Sequence, residues 1–262
     1  MKIDFYKFDG AGNDFVVVDN RRAKWHPDEE EVRMMCHRRF GVGADGLMLL
    51  DGEGEGGDYA FVMHYYNSDG RLGSMCGNGG RCIAAFAHML GMGERLHFLG
   101  YDGPHDAEVV EWDGRRGVVR LGLRSVKADE VRRVLDGWFL DTGSPHYVLP
   151  VENLKQYDVV GEGRRWRHRL DLFPEGANID FVEELPDGRL AVRTYERGVE
   201  DETWACGTGV TACALVSGKH SLVSRGGDFR VDFADRGDTY DDVWLTGPVA
   251  FNFSGSWPVT DR

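Results

Sequence analysis

The hydrophobic pattern along the first quarter of the chain reads as short strands broken by polar turns. Residues 5–20 alternate into strand, turn, strand, with Gly10-Ala11-Gly12-Asn13 as the turn and the β-branched run Val16-Val17-Val18 near the end. Residues 27–38 then read as a helix, because Pro27 stands near its start and three glutamates fall in the first turn, where the helix dipole favours negative charge. Leu47-Met48-Leu49-Leu50 has the continuous apolar character of a buried strand. Residues 51–58 are polar and glycine-rich, the pattern of a mobile connecting tip, and residues 59–66 return to extended structure. Two later stretches lack a polar face altogether: Cys82-Ile83-Ala84-Ala85-Phe86-Ala87-His88-Met89-Leu90 and Val210-Thr211-Ala212-Cys213-Ala214-Leu215-Val216. A helix that is apolar all round is a buried one, so each stretch is expected at the centre of a domain with a sheet around it. Cys82 and Cys213 then read as small core residues.

These two stretches belong to a longer repeat. Met75-Cys76-Gly77-Asn78-Gly79 recurs as Ala205-Cys206-Gly207-Thr208-Gly209, with the cysteines 130 residues apart, close to half of the 262-residue chain. Gly12-Asn13-Asp14-Phe15-Val16-Val17 matches Gly143-Ser144-Pro145-His146-Tyr147-Val148-Leu149 if one residue is inserted, which sets Asp14 against His146. Gly43-Ala44-Asp45-Gly46 lines up with Gly176-Ala177-Asn178-Ile179, and Cys82 with Cys213. Any one match is weak, since glycine turns recur by chance. A shared order and a nearly constant offset point to duplication, and the period is far too long for a solenoid. The expected fold is mixed α/β (α+β): two pseudo-equivalent domains, each a curved, mostly antiparallel sheet or barrel around one central helix, with the active site in the cleft between them. Residues 1–122 form the first domain and 123–248 the second, with the crossing near residues 117–123. Gly247-Pro248-Val249-Ala250-Phe251-Asn252-Phe253 reads as a final strand, and residues 249–262 can return to the first domain.

Charge narrows the partners. Lys and Arg number 31 against 44 Asp and Glu, a net charge of −13, which disfavours nucleic acid and anionic membrane surfaces. No apolar run reaches the roughly 20 residues of a bilayer helix, and the N-terminal residues lack a signal-peptide core, so a cytoplasmic protein is expected. Five cysteines, Cys36, Cys76, Cys82, Cys206 and Cys213, are an odd and sparse set, so free thiols rather than a disulfide framework are expected. Without CxxC or HExxH spacing, no metal site is expected either.

Two of these thiols stand where chemistry is favoured. A cysteine directly before Gly-Asn-Gly or Gly-Thr-Gly at a helix start lies beside backbone N–H groups and the positive end of the dipole, which stabilises thiolate. The glycines let a substrate carboxylate reach the same amides. Abstracting a proton α to a carboxylate builds negative charge beside an existing one, a step that preorganised amides ease. Inversion follows if one group removes the proton from one face and another returns a proton to the opposite face. Duplicated domains carrying one cysteine each supply two such groups, one thiolate and one thiol. A single buried cysteine is ordinarily inert; the matched turns are what single out Cys76 and Cys206.

Across nearly its whole length the chain resembles the diaminopimelate epimerase family. The resemblance runs through Lys7-Phe8-Asp9-Gly10-Ala11-Gly12-Asn13-Asp14-Phe15, Gly41-Val42-Gly43-Ala44-Asp45-Gly46, Asn67-Ser68-Asp69-Gly70, both cysteine turns, Gly143-Ser144-Pro145-His146, Gly176-Ala177-Asn178 and Tyr195-Glu196-Arg197-Gly198. It implies interconversion of LL- and meso-diaminopimelate in lysine and peptidoglycan-precursor biosynthesis. It implies no cofactor of any kind, and a homodimer. By the same match Cys76 and Cys206 are the bases, and His146 and Glu196 tune the thiols. Asn13, Asn67, Ser144, Asn178, Glu196 and Arg197 hold the substrate, above all its distal end, while Gly77-Asn78 and Gly207-Thr208 hold the reacting carboxylate. Taken singly, Asn13 and Asn67 also read as turn formers, Arg197 as a surface charge and His146 as a packed turn residue.

The chain departs from the family's common pattern at Ser144, where asparagine is frequent, and at Gly46, where some members carry glutamine. Serine reaches less far, so water could complete that contact. Two rivals remain. A proline or hydroxyproline racemase shares the paired cysteines but needs a smaller pocket, against which Asn13, Asn178 and Arg197 argue. A thiol redox protein would instead use Cys76 and Cys206 as a switchable disulfide.

Overall fold

The computed structural model describes residues 2–52, 57–73 and 76–259. Residues 53–56 of the glycine-rich connection, Met75 of the first cysteine turn and the last three residues of the C-terminal segment lie outside the described residues. The chain divides into two compact units, residues 1–121 with 248–262, and residues 122–247.

In the first unit, strand Lys2–Gly10 turns through Ala11 and Gly12, at φ 59° and 88°, into Asn13–Asp19. The two run antiparallel with Phe8 opposite Phe15. Val16, Val17 and Val18 are all buried, so this strand is covered on both faces, as strands in parallel pairing usually are. Its parallel partner is Gly46–Asp51, with Phe15 opposite Gly46. A parallel pair requires a crossover, and the helix Glu29–Cys36 lies in it. This helix is two residues shorter at each end than the 27–38 expected. Asp28 is its N-cap: it accepts from the Glu31 amide at 2.8 Å while the Glu31 side chain accepts from the Asp28 amide at 3.1 Å.

Val62–Asn67 pairs antiparallel with Gly46–Asp51 and leads through the cysteine turn into the helix Gly77–Met89. Arg95–Gly100 follows, parallel to Val62–Asn67, then Gly103–Trp112 and Arg116–Gly122, each antiparallel to its predecessor. The end of the long strand Thr239–Pro258 pairs with Lys2–Gly10, and the same strand pairs with Arg116–Gly122. Among the described residues this closes a ring of eight strands. The helix packs against the inner faces of several of them, and every residue of it from Gly77 to Ala87 is buried.

The second unit repeats the series. Gly137–Asp141 runs antiparallel to Pro145–Pro150, which is parallel to Asn178–Glu184 across a crossover containing the helix Val159–Arg167. Leu190–Glu196 is antiparallel to Asn178–Glu184 and leads through the second cysteine turn into the helix Gly207–Ser217. Ser221–Ser224 is parallel to Leu190–Glu196, and Gly227–Asp235 and Thr239–Pro258 complete the order. Each half therefore holds two parallel pairs, and both halves end on consecutive antiparallel ones. The parallel pairs fall where a helix crosses over, and the remaining pairs are antiparallel, so each sheet is mostly antiparallel, as expected.

Candidate active site

Cys76 and Cys206 are the N-cap residues of the two central helices and share an extended backbone, φ −104° and ψ 122° for one, φ −113° and ψ 111° for the other. The first helical bonds run from the Gly80 amide to the Cys76 carbonyl at 2.8 Å and from the Val210 amide to the Cys206 carbonyl at 2.9 Å. The amides of each first turn thus point out of the helix end beside the sulfur, the usual anion-binding arrangement. No cysteine is disulfide-bonded.

In the first unit the half-buried Cys76 thiol donates to Asn13 Oδ1 at 3.6 Å, and Asn78 Nδ2 donates to the same oxygen at 3.2 Å. Asn13 is aimed from the other end: its Nδ2 donates to Asp45 Oδ2 at 2.6 Å. Asp45 belongs to an ionic cluster in which Arg38 bonds both Asp45 and Asp14 at 2.6 Å and Lys7 pairs with Asp14 at 2.6 Å. Lys7 also donates to the Gly43 carbonyl. Burial alone would raise the Asp14 pKa, but hydrogen bonds from Arg38 and Lys7 and the Lys7 charge outweigh it and hold the group at about 2.

Beneath this turn lies Arg81, wholly buried. Its guanidinium donates to the Gly77 carbonyl at 3.1 Å and to Asn78 Oδ1 at 3.0 Å, so it fixes the two residues that follow Cys76. Burial lowers its pKa to about 10, against the attraction of Cys82 and Cys76. The group still carries its proton at neutral pH and places a positive charge under the first sulfur.

The second unit is built differently. Cys206 Sγ lies 3.4 Å from Thr208 Oγ1, which lies 2.9 Å from His146 Nε2. His146 Nδ1 lies 2.7 Å from Asp180 Oδ2, and Thr194 Oγ1 donates to Asp180 Oδ1 at 2.6 Å. Thr142 Oγ1 adds a bond to the Thr208 carbonyl at 2.9 Å. Burial first, then the charges of Glu196 and Asp180, push the Cys206 thiol well above the ordinary cysteine value; the Gly209 amide favours its thiolate, as a Thr208 hydroxyl turned to donate to the sulfur would.

Nearby, Asn178 Nδ2 donates to Ser144 Oγ at 2.8 Å and to the Pro145 carbonyl at 3.0 Å, and Asn178 Oδ1 accepts from the Arg197 amide at 2.9 Å. The Arg197 guanidinium donates to the Glu175 carbonyl at 3.2 Å. Ser144 therefore bonds Asn178 directly.

The glycines at the two helix starts identify the equivalent positions. Phe15 and Met48 lie beside Gly79 as His146 and Asp180 lie beside Gly209, so Phe15, one residue beyond Asp14, is the counterpart of His146. Met48 stands opposite Tyr65 as Asp180 stands opposite Thr194. The layer behind Cys76 is thus Phe15, Met48 and Tyr65, while the layer behind Cys206 is His146, Asp180 and Thr194. One turn into each helix, Arg81 bonds the Gly77 carbonyl, and Thr211 bonds the Gly207 carbonyl at 2.9 Å. The backbone is duplicated, but the charges around the two thiols are not.

The sequence profile described as diaminopimelate epimerase matches residues 5–122 and 138–238, one stretch in each half. The chain belongs to the diaminopimelate epimerase family. It is 43% identical to the diaminopimelate epimerase of Chlorobaculum tepidum, over 94% of this chain and 98% of that one, and 39% identical to that of Aquifex aeolicus, over 97% of each. Among solved structures it shares its fold with a PhzF-family phenazine biosynthesis protein from Bacillus anthracis, with a TM-score of 0.73, 14% identity and coverage of 99% and 100% of the two chains. A hydroxyproline epimerase from Agrobacterium vitis shares the fold at a TM-score of 0.69, 15% identity and coverage of 97% and 92%. At such identities these two likenesses speak for the fold alone.

Of the residues expected from this family, the first unit gathers Asn13, Cys76, Gly77 and Asn78, and the second gathers Ser144, His146, Asn178, Arg197, Cys206, Gly207 and Thr208. Glu196 acts on Cys206 through its charge. Asn67 stands apart from the Asn13–Cys76 hydrogen bonds: it is exposed, opposite Gly46, in a turn where its amide donates to the Arg71 carbonyl. Arg81, Asp45, Asp180 and Thr194 were not anticipated. Two of them had a signal. Arg81 interrupts an otherwise small and apolar helix, and Asp180 sits between Ile179 and Phe181 in a strand buried on both sides.

Proposed function

We propose that this member of the diaminopimelate epimerase family interconverts LL- and meso-diaminopimelate by passing protons between the substrate and the thiols of Cys76 and Cys206, without a cofactor. The observation that carries this reading is the identical placement of the two sulfurs, each capping a buried glycine-rich helix at an end that favours anions. One sulfur as thiolate removes the α-proton from one face; the other, as thiol, gives a proton to the opposite face. The charge that develops on the substrate is stabilised by the first-turn amides at Gly77-Asn78 and Gly207-Thr208, which also grip the carboxylate. His146 and Glu196 adjust the second thiol. Asn13, Asn67, Ser144, Asn178 and Arg197 hold the distal amino-acid end, where Arg197 offers a carboxylate fork and the asparagine carbonyls accept from an ammonium group. The reaction supplies meso-diaminopimelate for lysine and peptidoglycan precursors.

The family also suggests a cytoplasmic homodimer, which sedimentation velocity checks as a species of about twice the 29.4 kDa chain mass. The substrate is tested by supplying LL-diaminopimelate and L-proline separately under reductant. Turnover of the first and not the second is expected; turnover of proline alone refutes the assignment.

A further inference from the structure

We propose that Asp180 is a positioning residue that orients every hydrogen bond from His146 to Cys206, so that Cys206 is the sulfur that carries the proton in the resting enzyme. The inference deepens the two-thiol reading above and rests on it.

His146 and Asp180 are both fully buried, 2.7 Å apart through Nδ1 and Oδ2, and Asp180 Oδ1 accepts from Thr194 Oγ1 at 2.6 Å. A carboxylate only accepts, so Nδ1 of His146 bears a hydrogen. In the neutral ring Nε2 is then an acceptor, and the group 2.9 Å from it, the Thr208 hydroxyl, must donate to it. Thr208 has a single hydroxyl hydrogen, and it is engaged in the bond to His146. What Thr208 turns toward Cys206 Sγ, 3.4 Å away, is an oxygen lone pair, which accepts from S–H and repels thiolate. One buried carboxylate thereby sets a chain of three bonds and favours the thiol at its far end.

The surroundings act in the same sense or only in part against it. Glu196 adds a second negative charge toward Cys206, while the Gly209 amide favours thiolate. Asn178 Nδ2, 3.5 Å from His146 Nε2, competes weakly as a second donor to that nitrogen. In the first unit the same positions hold Met48, Phe15 and Tyr65, which cannot form such a chain, and the buried Arg81 cation lies beneath Cys76. Divergence of the two halves has therefore given the thiols unequal roles at rest, which a symmetric pair would lack.

Asp180→Asn is the test, because it preserves shape and replaces an acceptor with a donor. With the new amide donating to Nδ1, the His146 hydrogen moves to Nε2, the Thr208 hydroxyl is released to donate to sulfur, and thiolate becomes the favoured form of Cys206. Iodoacetamide labelling of Cys206, followed by peptide mass spectrometry against pH, should shift its midpoint down by at least about one pH unit, an increase of about tenfold in labelling rate below the midpoint. Epimerase kcat should fall by about 10- to 100-fold with KM within about twofold. Thr194→Val, which removes a donor without changing the tautomer, should leave the Cys206 midpoint in place. The native protein supplies an independent reading: ¹⁵N NMR of His146 should show the Nδ1–H tautomer. An Nε2–H tautomer, or an unchanged or raised Cys206 midpoint in folded Asp180→Asn, overturns the proposal. Labelling and NMR need no substrate, so failure to turn over diaminopimelate would sink the functional reading separately.

Discussion

Asp180 closes directly over Gly209: a Cβ built on that glycine would stand 2.4 Å from Asp180 Oδ1, inside any permitted contact. At the equivalent Gly79 the nearest atom is Met48 Sδ at 3.2 Å, the middle of a flexible side chain. Gly209→Ala should therefore displace Asp180 and its hydrogen-bonded His146, lowering epimerase activity by more than about tenfold. Gly79→Ala should stay within about threefold of wild type and melt no lower, since alanine favours a helix over glycine by about 1 kcal/mol. Steady-state rates and thermal melts of the two variants check this, and equal losses in both would mean that the two helix starts are not differently supported.

Arg81 is expected to act on the first thiol as Asp180 acts on the second, with the opposite sign. Arg81→Met fills the space but removes the cation and its bonds to the Gly77 carbonyl and Asn78 Oδ1. Labelling of Cys76 by iodoacetamide at neutral pH should slow severalfold, and kcat should fall with it. Arg81→Lys should recover only part of the rate, because one ammonium lacks the planar fork that reaches both acceptors. A Cys76 labelling rate unchanged by Arg81→Met would remove the guanidinium from the account.

Acid stability should depend on Asp14. Its pKa is held at about 2, below the ordinary carboxylate value, so its contribution to stability is fully present above about pH 4 and is lost as the pH falls towards 2. That contribution is at most about 2 kcal/mol at neutral pH. Urea unfolding should find Asp14→Asn less stable than wild type at pH 7, with the gap narrowed to about a third of its neutral-pH size by pH 2.5. A gap that stays constant across this range would assign the loss to packing and not to charge.

The duplication was legible because glycine turns and capping cysteines leave marks at fixed spacing, and the same marks located both central helices. The parallel pairs were harder to read, since a buried strand such as Leu47-Met48-Leu49-Leu50 has the same apolar pattern whichever way its partner runs. The equivalence of the halves was off by one at His146 because of the inserted residue: an ungapped offset of 131 sets His146 against Phe15, as the neighbours of Gly209 and Gly79 do. The groups behind the thiols were hidden for another reason. Arg81 and Asp180 matter only because folding buries them against a helix end, and a charged residue in an apolar run gives no hint of its partner. Ser144 was visible as a departure from the family, but its bond to Asn178 is a matter of distance.

The central claim, that two thiols carry the protons, is tested most directly by following LL-diaminopimelate in deuterated water under reductant with wild type, Cys76→Ala and Cys206→Ala. The account predicts that wild type yields meso-diaminopimelate carrying deuterium at the inverted α-carbon, and that each alanine variant loses net inversion while remaining folded. Inversion at the wild-type rate by either single variant would contradict it.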